Sequence, residues 1–252
     1  MKFILIALFV GGCLTRISWP DADDFIKLSS PIIVGAGEIY DGFKENNNKW
    51  VSFQRKTTEF SNCFDILGSR KDAVFILRKG ATLKNVIIHD NSVGNVYCIE
   101  DGCTIENVYW RYLCGIAITF EGARSPAGKY YVKGGGVRFG KNKVIQHNSS
   151  GIVYISNFYV EFTETLYSSC GNCKLGYQGK RSAVLENVTV YNSKTIAELN
   201  SNYGDTITLK NVDNNVAYHV CRVLEGRNDG KEPTVLGYKC EKSGRIKSCT
   251  CR

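Results

Sequence analysis

The side chains best equipped for chemistry in this sequence are its cysteines. Ten of them lie beyond residue 60: Cys63, Cys98, Cys103, Cys114, Cys170, Cys173, Cys221, Cys240, Cys249 and Cys251. An eleventh, Cys13, sits at the end of an apolar leader. Thiols in such numbers serve as thiolate metal ligands or as disulfides. A zinc site would draw on Cys170-Gly-Asn-Cys173 and Cys249-Thr-Cys251, but these spacings do not form two matched pairs. The even count instead fits up to five disulfides in an oxidising compartment. Bridges Cys98–Cys103 and Cys170–Cys173 are sterically possible, while the pairing itself is not legible in sequence. His89, His147 and His219 show no metal-ligand spacing, and His147 reads as a buried structural residue. Tyr130, Tyr131, Tyr154 and Tyr159 could stack on sugar rings or on one another. Asn148-Ser-Ser150 and Asn187-Val-Thr189 are glycosylation acceptor sequences, with both asparagines in stretches that read as structural.

Composition bounds where these groups can work. The chain has 252 residues, 43% hydrophobic and 22% charged, with only 4 prolines. That excludes disorder and a collagen-like repeat, and leaves enough apolar side chain for a core. The one long apolar run, residues 3–10, is too short to span a bilayer. Lys2 precedes it and Gly11, Gly12 and Cys13 follow, so residues 1–18 read as a secretory signal peptide and 19–252 as one domain. Val10-Gly11-Gly12-Cys13 also has the shape of a bacterial lipoprotein box. The formal charge is +8. It stays positive without Lys2 and Arg16, which suits a polyanionic partner or simple solubility.

The elements that position these residues come from a repeat. Leu83-Lys-Asn85-Val86, Ile105-Glu-Asn107-Val108, Ile155-Ser-Asn157-Phe158, Leu185-Glu-Asn187-Val188 and Leu209-Lys-Asn211-Val212 share one pattern: apolar, spacer, asparagine, apolar. The asparagines are 22, 50, 30 and 24 residues apart. The longest gap is two units with one asparagine missing, and Val132-Lys-Gly-Gly135 stands where it should be. Around each asparagine the apolar residues alternate with period two and are β-branched or aromatic, so these are short strands. Strands repeating at this interval predict a parallel β-helix, with asparagines in its turns stacked as a ladder. Ile32–Val34 is expected as the first strand, and the segment from Cys221 onward as an irregular terminal cover.

On these residues the chain resembles the pectate lyases of polysaccharide lyase family 3. The resemblance is carried by Gly37-Glu-Ile-Tyr-Asp-Gly42, Gly80-Ala-Thr-Leu-Lys-Asn-Val-Ile-Ile88, Cys103-Thr-Ile-Glu-Asn-Val-Tyr-Trp110, Lys143-Val-Ile-Gln-His-Asn148, Ser169-Cys-Gly-Asn-Cys173 and Asn200-Ser-Asn-Tyr-Gly-Asp-Thr206. It implies an all-β, single-domain, right-handed parallel β-helix, a secreted protein, and β-elimination in polygalacturonate. In that reaction a base removes the C5 proton of a galacturonate and the C4–oxygen bond breaks. The family uses calcium to neutralise the uronate.

Carried over position by position, the resemblance makes Lys143 the base. The carboxylates that would hold calcium are replaced by Gly94, Gly115 and Ile116, and no metal ligand is assigned. Acidic family positions hold Arg111, Tyr112, Lys141 and Asn142, and cationic ones around Leu166-Tyr167 hold Thr165 and Ser168. Two basic replacements, Arg111 and Lys141, are expected to bind uronate directly. Three readings stay open: an eliminative enzyme with Lys143 as base, a homologue of reduced activity that holds acidic polysaccharide, and a secreted monomeric solenoid that binds another protein. No nucleic acid, and no membrane after leader removal, is expected as partner.

Overall fold

The computed structural model describes residues 18–58, 66–122, 128–174, 176–240 and 244–252. The signal-peptide reading and Cys63 therefore fall outside the described residues. The chain winds as a right-handed parallel β-helix of about eight turns. Its helical content among the described residues is one α-helical turn, Gly42–Glu45, and two short 3-10 turns. No helix among them is long and apolar enough to cross a membrane.

Each turn supplies a strand to three walls. The first wall stacks residues 82–84, 103–106, 128–133, 151–156, 181–186 and 206–210 in parallel. The alternation predicted from the repeat points one face inward. Leu83, Ile105, Val132, Ile155, Leu185 and Leu209 form one column in register, each at most 1% exposed. Burying each such side chain stabilises the fold by about 1.5–3 kcal/mol.

The chain then bends into the second wall at the repeated asparagine. Asn85, Asn107, Asn157, Asn187 and Asn211 all have φ between 52° and 54°. Asparagine tolerates this left-handed geometry, and its amide bonds the next turn of the solenoid. Asn107 Nδ2 donates to Asn85 Oδ1 at 3.3 Å, and Asn211 Nδ2 to Asn187 Oδ1 at 2.5 Å. At the missing asparagine Gly134 and Gly135 take φ of 63° and 80°. A Cβ on Gly135 would stand 2.2 Å from the Val108 carbonyl oxygen, whereas one on Gly134 would meet only the Asn107 amide. Gly135→Ala should therefore cost about 3 kcal/mol in denaturant unfolding, and Gly134→Ala clearly less.

The second wall holds residues 86–88, 108–110, 136–138, 159–161, 189–191 and 213–215. The third stacks Ile32–Val34, Phe75–Leu77, Val96–Cys98, Ile118–Phe120, 145–147, 165–169, Thr195–Asn200 and His219–Glu225. Two expectations need correction. Asp24–Lys27 precedes Ile32–Val34 and already pairs with Val51–Gln54. Cys221 lies in a regular solenoid strand, because 219–225 continues the period. The cover begins later, as antiparallel strands Thr234–Lys239 and Gly244–Cys251. They are tied down by disulfides Cys221–Cys251 and Cys240–Cys249. The local bridges Cys98–Cys103 and Cys170–Cys173 are both present.

Candidate functional site

The corner between the second and third walls has unusual backbone. Phe139 and Phe162 adopt φ of 50° and 53°, a region that bulky side chains rarely enter. Stacking offsets the cost: Tyr112 lies on Phe139 at 5.1 Å and Phe139 on Phe162 at 5.3 Å. Aromatic pairs of this kind contribute about 0.5–1.5 kcal/mol each. Directly after this corner the strand Gly136–His147 carries one extra residue. Gly140 pairs with Thr163 but Lys143 pairs with Thr165, so a bulge forms between them.

The bulge presents Lys141 and Lys143 together. Lys141 is exposed and Lys143 half-buried. The Lys143 backbone N–H donates to Asn142 Oδ1 at 2.8 Å. Its ammonium has no hydrogen-bond or ion-pair partner among the described residues. Thr165, Thr195 and His219 follow in the same column. On the other side, the pairing of Ile145 with Ile118 puts Ile116 one turn below Lys143.

Arg111 sits across the corner. Its guanidinium donates to Asp21 Oδ1 at 3.0 Å, and the position lies beside Trp19, His89, Asp90 and Tyr109. The structure thus joins Lys141 to Lys143 in one bulge and sets Arg111 on the other side of Tyr112.

The calcium positions of the resemblance lack both oxygen donors and space. Gly94 is buried, and a Cβ there would stand 2.3 Å from the carbonyl carbon of Asp72. Gly115 has φ of 67°, and a Cβ would meet the carbonyl oxygens of Leu67 and Val93 at 2.8 Å. Ile116 offers no side-chain oxygen, and calcium requires six to eight oxygen ligands. The residues present do not fit the ion at these positions. Nearby acids do not converge there either. Asp90 lies beside Arg111, whereas Glu100 lies between the third and first walls, where it accepts from the Lys79 N–H at 2.9 Å and pairs with Arg78 at 3.6 Å. Cys221, Cys240 and Cys251, the cluster of metal-donor atoms among the described residues, are engaged in disulfides.

Sequence reasoning missed two residues on the third wall. Gln146, Ser168, Glu198 and Arg222 form one column in register. Ser168 Oγ donates to Glu198 Oε2 at 2.9 Å, and Arg222 Nη1 to Glu198 Oε1 at 2.9 Å. An arginine therefore stands two turns from Ser168, with Glu198 between as its counter-ion.

The histidines occupy three separate settings. His89 Nδ1 contacts the Asp90 carbonyl oxygen at 2.7 Å, and His219 stacks on Tyr238 at 3.8 Å. His147 is fully buried, with Nδ1 2.9 Å from the Tyr167 hydroxyl and the rings of Phe120 and Tyr130 around it. Burial, and then the positive charge of Arg181, hold its pKa well below the ordinary imidazole value. The unfolded chain takes up this proton near pH 6.5 and the folded chain resists it. The stability it contributes is therefore complete above about 6.5 and is lost as pH falls, by up to about 1.4 kcal/mol per unit. Urea unfolding at pH 7.5, 6 and 5 would record this slope, and His147→Asn should flatten it.

Of the four tyrosines, Tyr130 is buried in the core and Tyr131 stacks on Tyr154 at 5.3 Å. Tyr159 packs edge-on against Trp19 at 6.3 Å. Asn148 Oδ1 accepts from Gln146 Nε2 at 2.9 Å, so it is structural, and Asn187 belongs to the ladder.

The described strands define a parallel β-helix with a cationic bulge on one wall. The sequence model of pectate lyase matches residues 16–231. The chain is 34% identical over 256 residues to the probable pectate lyase D of Neosartorya fischeri, covering 98% of this chain and 99% of that protein. It is 44% identical over 183 residues to the probable pectate lyase E of Aspergillus clavatus, covering 72% and 68%. The chain belongs to the pectate lyase family. Among solved structures, the catalytic domain of pectate lyase PelI from Erwinia chrysanthemi superposes with a TM-score of 0.66 at 24% identity, covering 88% of this chain and 93% of that one. The same enzyme in complex with tetragalacturonic acid gives 0.62, covering 88% and 66%. At this identity the likeness establishes the fold.

Proposed function

We propose that this chain is a secreted lyase that cleaves polygalacturonate by β-elimination, with Lys143 as the base and without calcium. The observation that carries the reading is the Lys143 ammonium, presented from a bulge with no partner among the described residues. Its Nζ takes the C5 proton. The electrons form the C4–C5 double bond, and the bond from C4 to the glycosidic oxygen breaks. The leaving oxygen takes a proton from solvent. The C5 proton is weakly acidic because its neighbour is a carboxylate, so positive charge must approach that group. Arg111 and Lys141, basic where the family resemblance implies acids, would supply it. The disulfides support an oxidising, extracellular location.

One observation favours a second reading. The third-wall arginine is already paired with Glu198 and offers a substrate carboxylate less charge, which suits a homologue of reduced activity. Ultraviolet absorbance of the unsaturated product decides between them, followed on polygalacturonate with added calcium and then with chelator. A rise indifferent to chelator supports the calcium-free lyase. A rise that chelator stops overturns the metal-free part. A flat trace, beside an active family member as control, leaves the binding protein.

A further inference from the structure

We propose that the pocket beside Arg111 is a uronate-binding subsite in which the carboxylate of Asp21 stands in for that of the sugar. The proposal rests on the reading above and names a place where the polyanion is held. The pocket has a volume of about 230 Å³, the scale of one sugar ring, and is lined by Trp19, Phe25, His89, Asp90, Tyr109 and Arg111. These are the parts a sugar acid needs: aromatic rings for its C–H face, hydrogen-bonding groups for its hydroxyls and a guanidinium for its carboxylate.

The ring of Trp19 lies 5.5 Å from that of Tyr109, edge to face, and the guanidinium of Arg138 covers Trp19 at 4.5 Å. This fixes the apolar wall. Phe25 meets His89 at 5.6 Å, and His89 spends Nδ1 on the Asp90 carbonyl oxygen at 2.7 Å. Its Nε2 has no partner among the described residues. Arg111 reaches Asp21 through one nitrogen, Nη2, at 3.0 Å, so the two-pronged contact that guanidinium offers a carboxylate is only half used. Both side chains stand in solvent, Asp21 at 91% and Arg111 at 48% exposure, and pairs this exposed are held weakly. An incoming uronate can displace Asp21, make the second contact and bury the rings. The site lies on the second wall, before the corner that leads to Lys143. Arg111 lies one turn below Arg138, which begins the stretch leading to the Lys143 bulge.

Calorimetric titration with digalacturonate, chelator present throughout, tests this against the uncharged galactose disaccharide. The uronate is expected to bind at least tenfold more tightly than the neutral sugar. Arg111→Gln should weaken it about tenfold or more, and Arg111→Lys, which keeps charge but loses the fork, by less. Asp21→Asn removes the internal competitor and should tighten binding by up to about fivefold. Unchanged affinity in Arg111→Gln, or equal binding of the neutral sugar, would overturn the subsite. Unchanged or weaker binding in Asp21→Asn would overturn the stand-in. Lys143→Ala separates the two ideas: lost cleavage with retained digalacturonate binding is expected if both hold. Retained cleavage removes the base and leaves the subsite standing on its own titrations.

Discussion

Replacing Lys143 with alanine is expected to slow formation of the unsaturated product by roughly 10²–10⁴-fold, the range a positioned base contributes. Stability should change by no more than about 0.5 kcal/mol, because the side chain makes no bond that the fold depends on. The loss should fall mainly on kcat, since the amine acts on a proton in the transition state and Arg111 and Lys141 remain to attract the polymer. A small alkylamine in the assay should restore part of the rate to Lys143→Ala, because the cavity left by the side chain opens to solvent. A variant as fast as the parent would place the base elsewhere on the third wall. A variant that is slow because it has unfolded would show in its melting curve.

The second large effect concerns the positions where the family resemblance implies carboxylates. Gly94→Asp, the substitution that restores one of them, is expected to destabilise the protein by about 3 kcal/mol or more and to confer no calcium dependence. Its Cβ would stand 2.3 Å from the carbonyl carbon of Asp72 and 2.7 Å from the Ala73 nitrogen. Backbone cannot yield there as a flexible side chain would. Asp72 is itself fixed: burial opposes its ionisation, but hydrogen bonds from Lys56 and Ser69 outweigh that and keep its carboxyl below the ordinary range. Ile116→Asp, at a half-buried position one turn below Lys143, should be tolerated and serves as the contrast. Urea unfolding of both variants, together with lyase rates in calcium and in chelator, checks the pair. A stable, calcium-activated Gly94→Asp would show that the loop of residues 66–72 moves aside to admit the ion.

The period of the solenoid was legible in a single residue type. Asparagine at 85, 107, 157, 187 and 211 marks a left-handed bend that few other side chains accept, so its recurrence reports the turn directly. The glycine pair at 134–135 completed the count for the same reason. The same spacing also reports part of the candidate site. From Ser168 the next two positions in register are 30 and 24 residues on, Glu198 and Arg222, the same intervals that separate Asn157, Asn187 and Asn211. Adding the asparagine intervals to position 168 finds the arginine and its counter-ion without coordinates.

Other features had no such signal. The bulge at Lys141–Lys143 is one residue of excess between two pairings, and a single insertion cannot be told from a loop by alternation alone. The left-handed Phe139 and Phe162 contradict the local preference of phenylalanine. They exist because stacked rings from three turns support one another, a contact made between residues more than twenty apart in sequence. The same holds for Asp21 and Arg111, ninety residues apart.

Sequence by itself determined the coil: its period, the bend at each repeated asparagine, and which side chains of the repeat face the core. Tertiary structure alone decided that Gly94 and Gly115 are closed to any side chain, that Arg111 is held by the N-terminal segment, and that the Lys143 ammonium is left without a partner among the described residues. The division is physical. Strand alternation and turn geometry are set by each residue's own backbone preference, whereas the space beside a residue is set by whichever distant segment the solenoid lays against it.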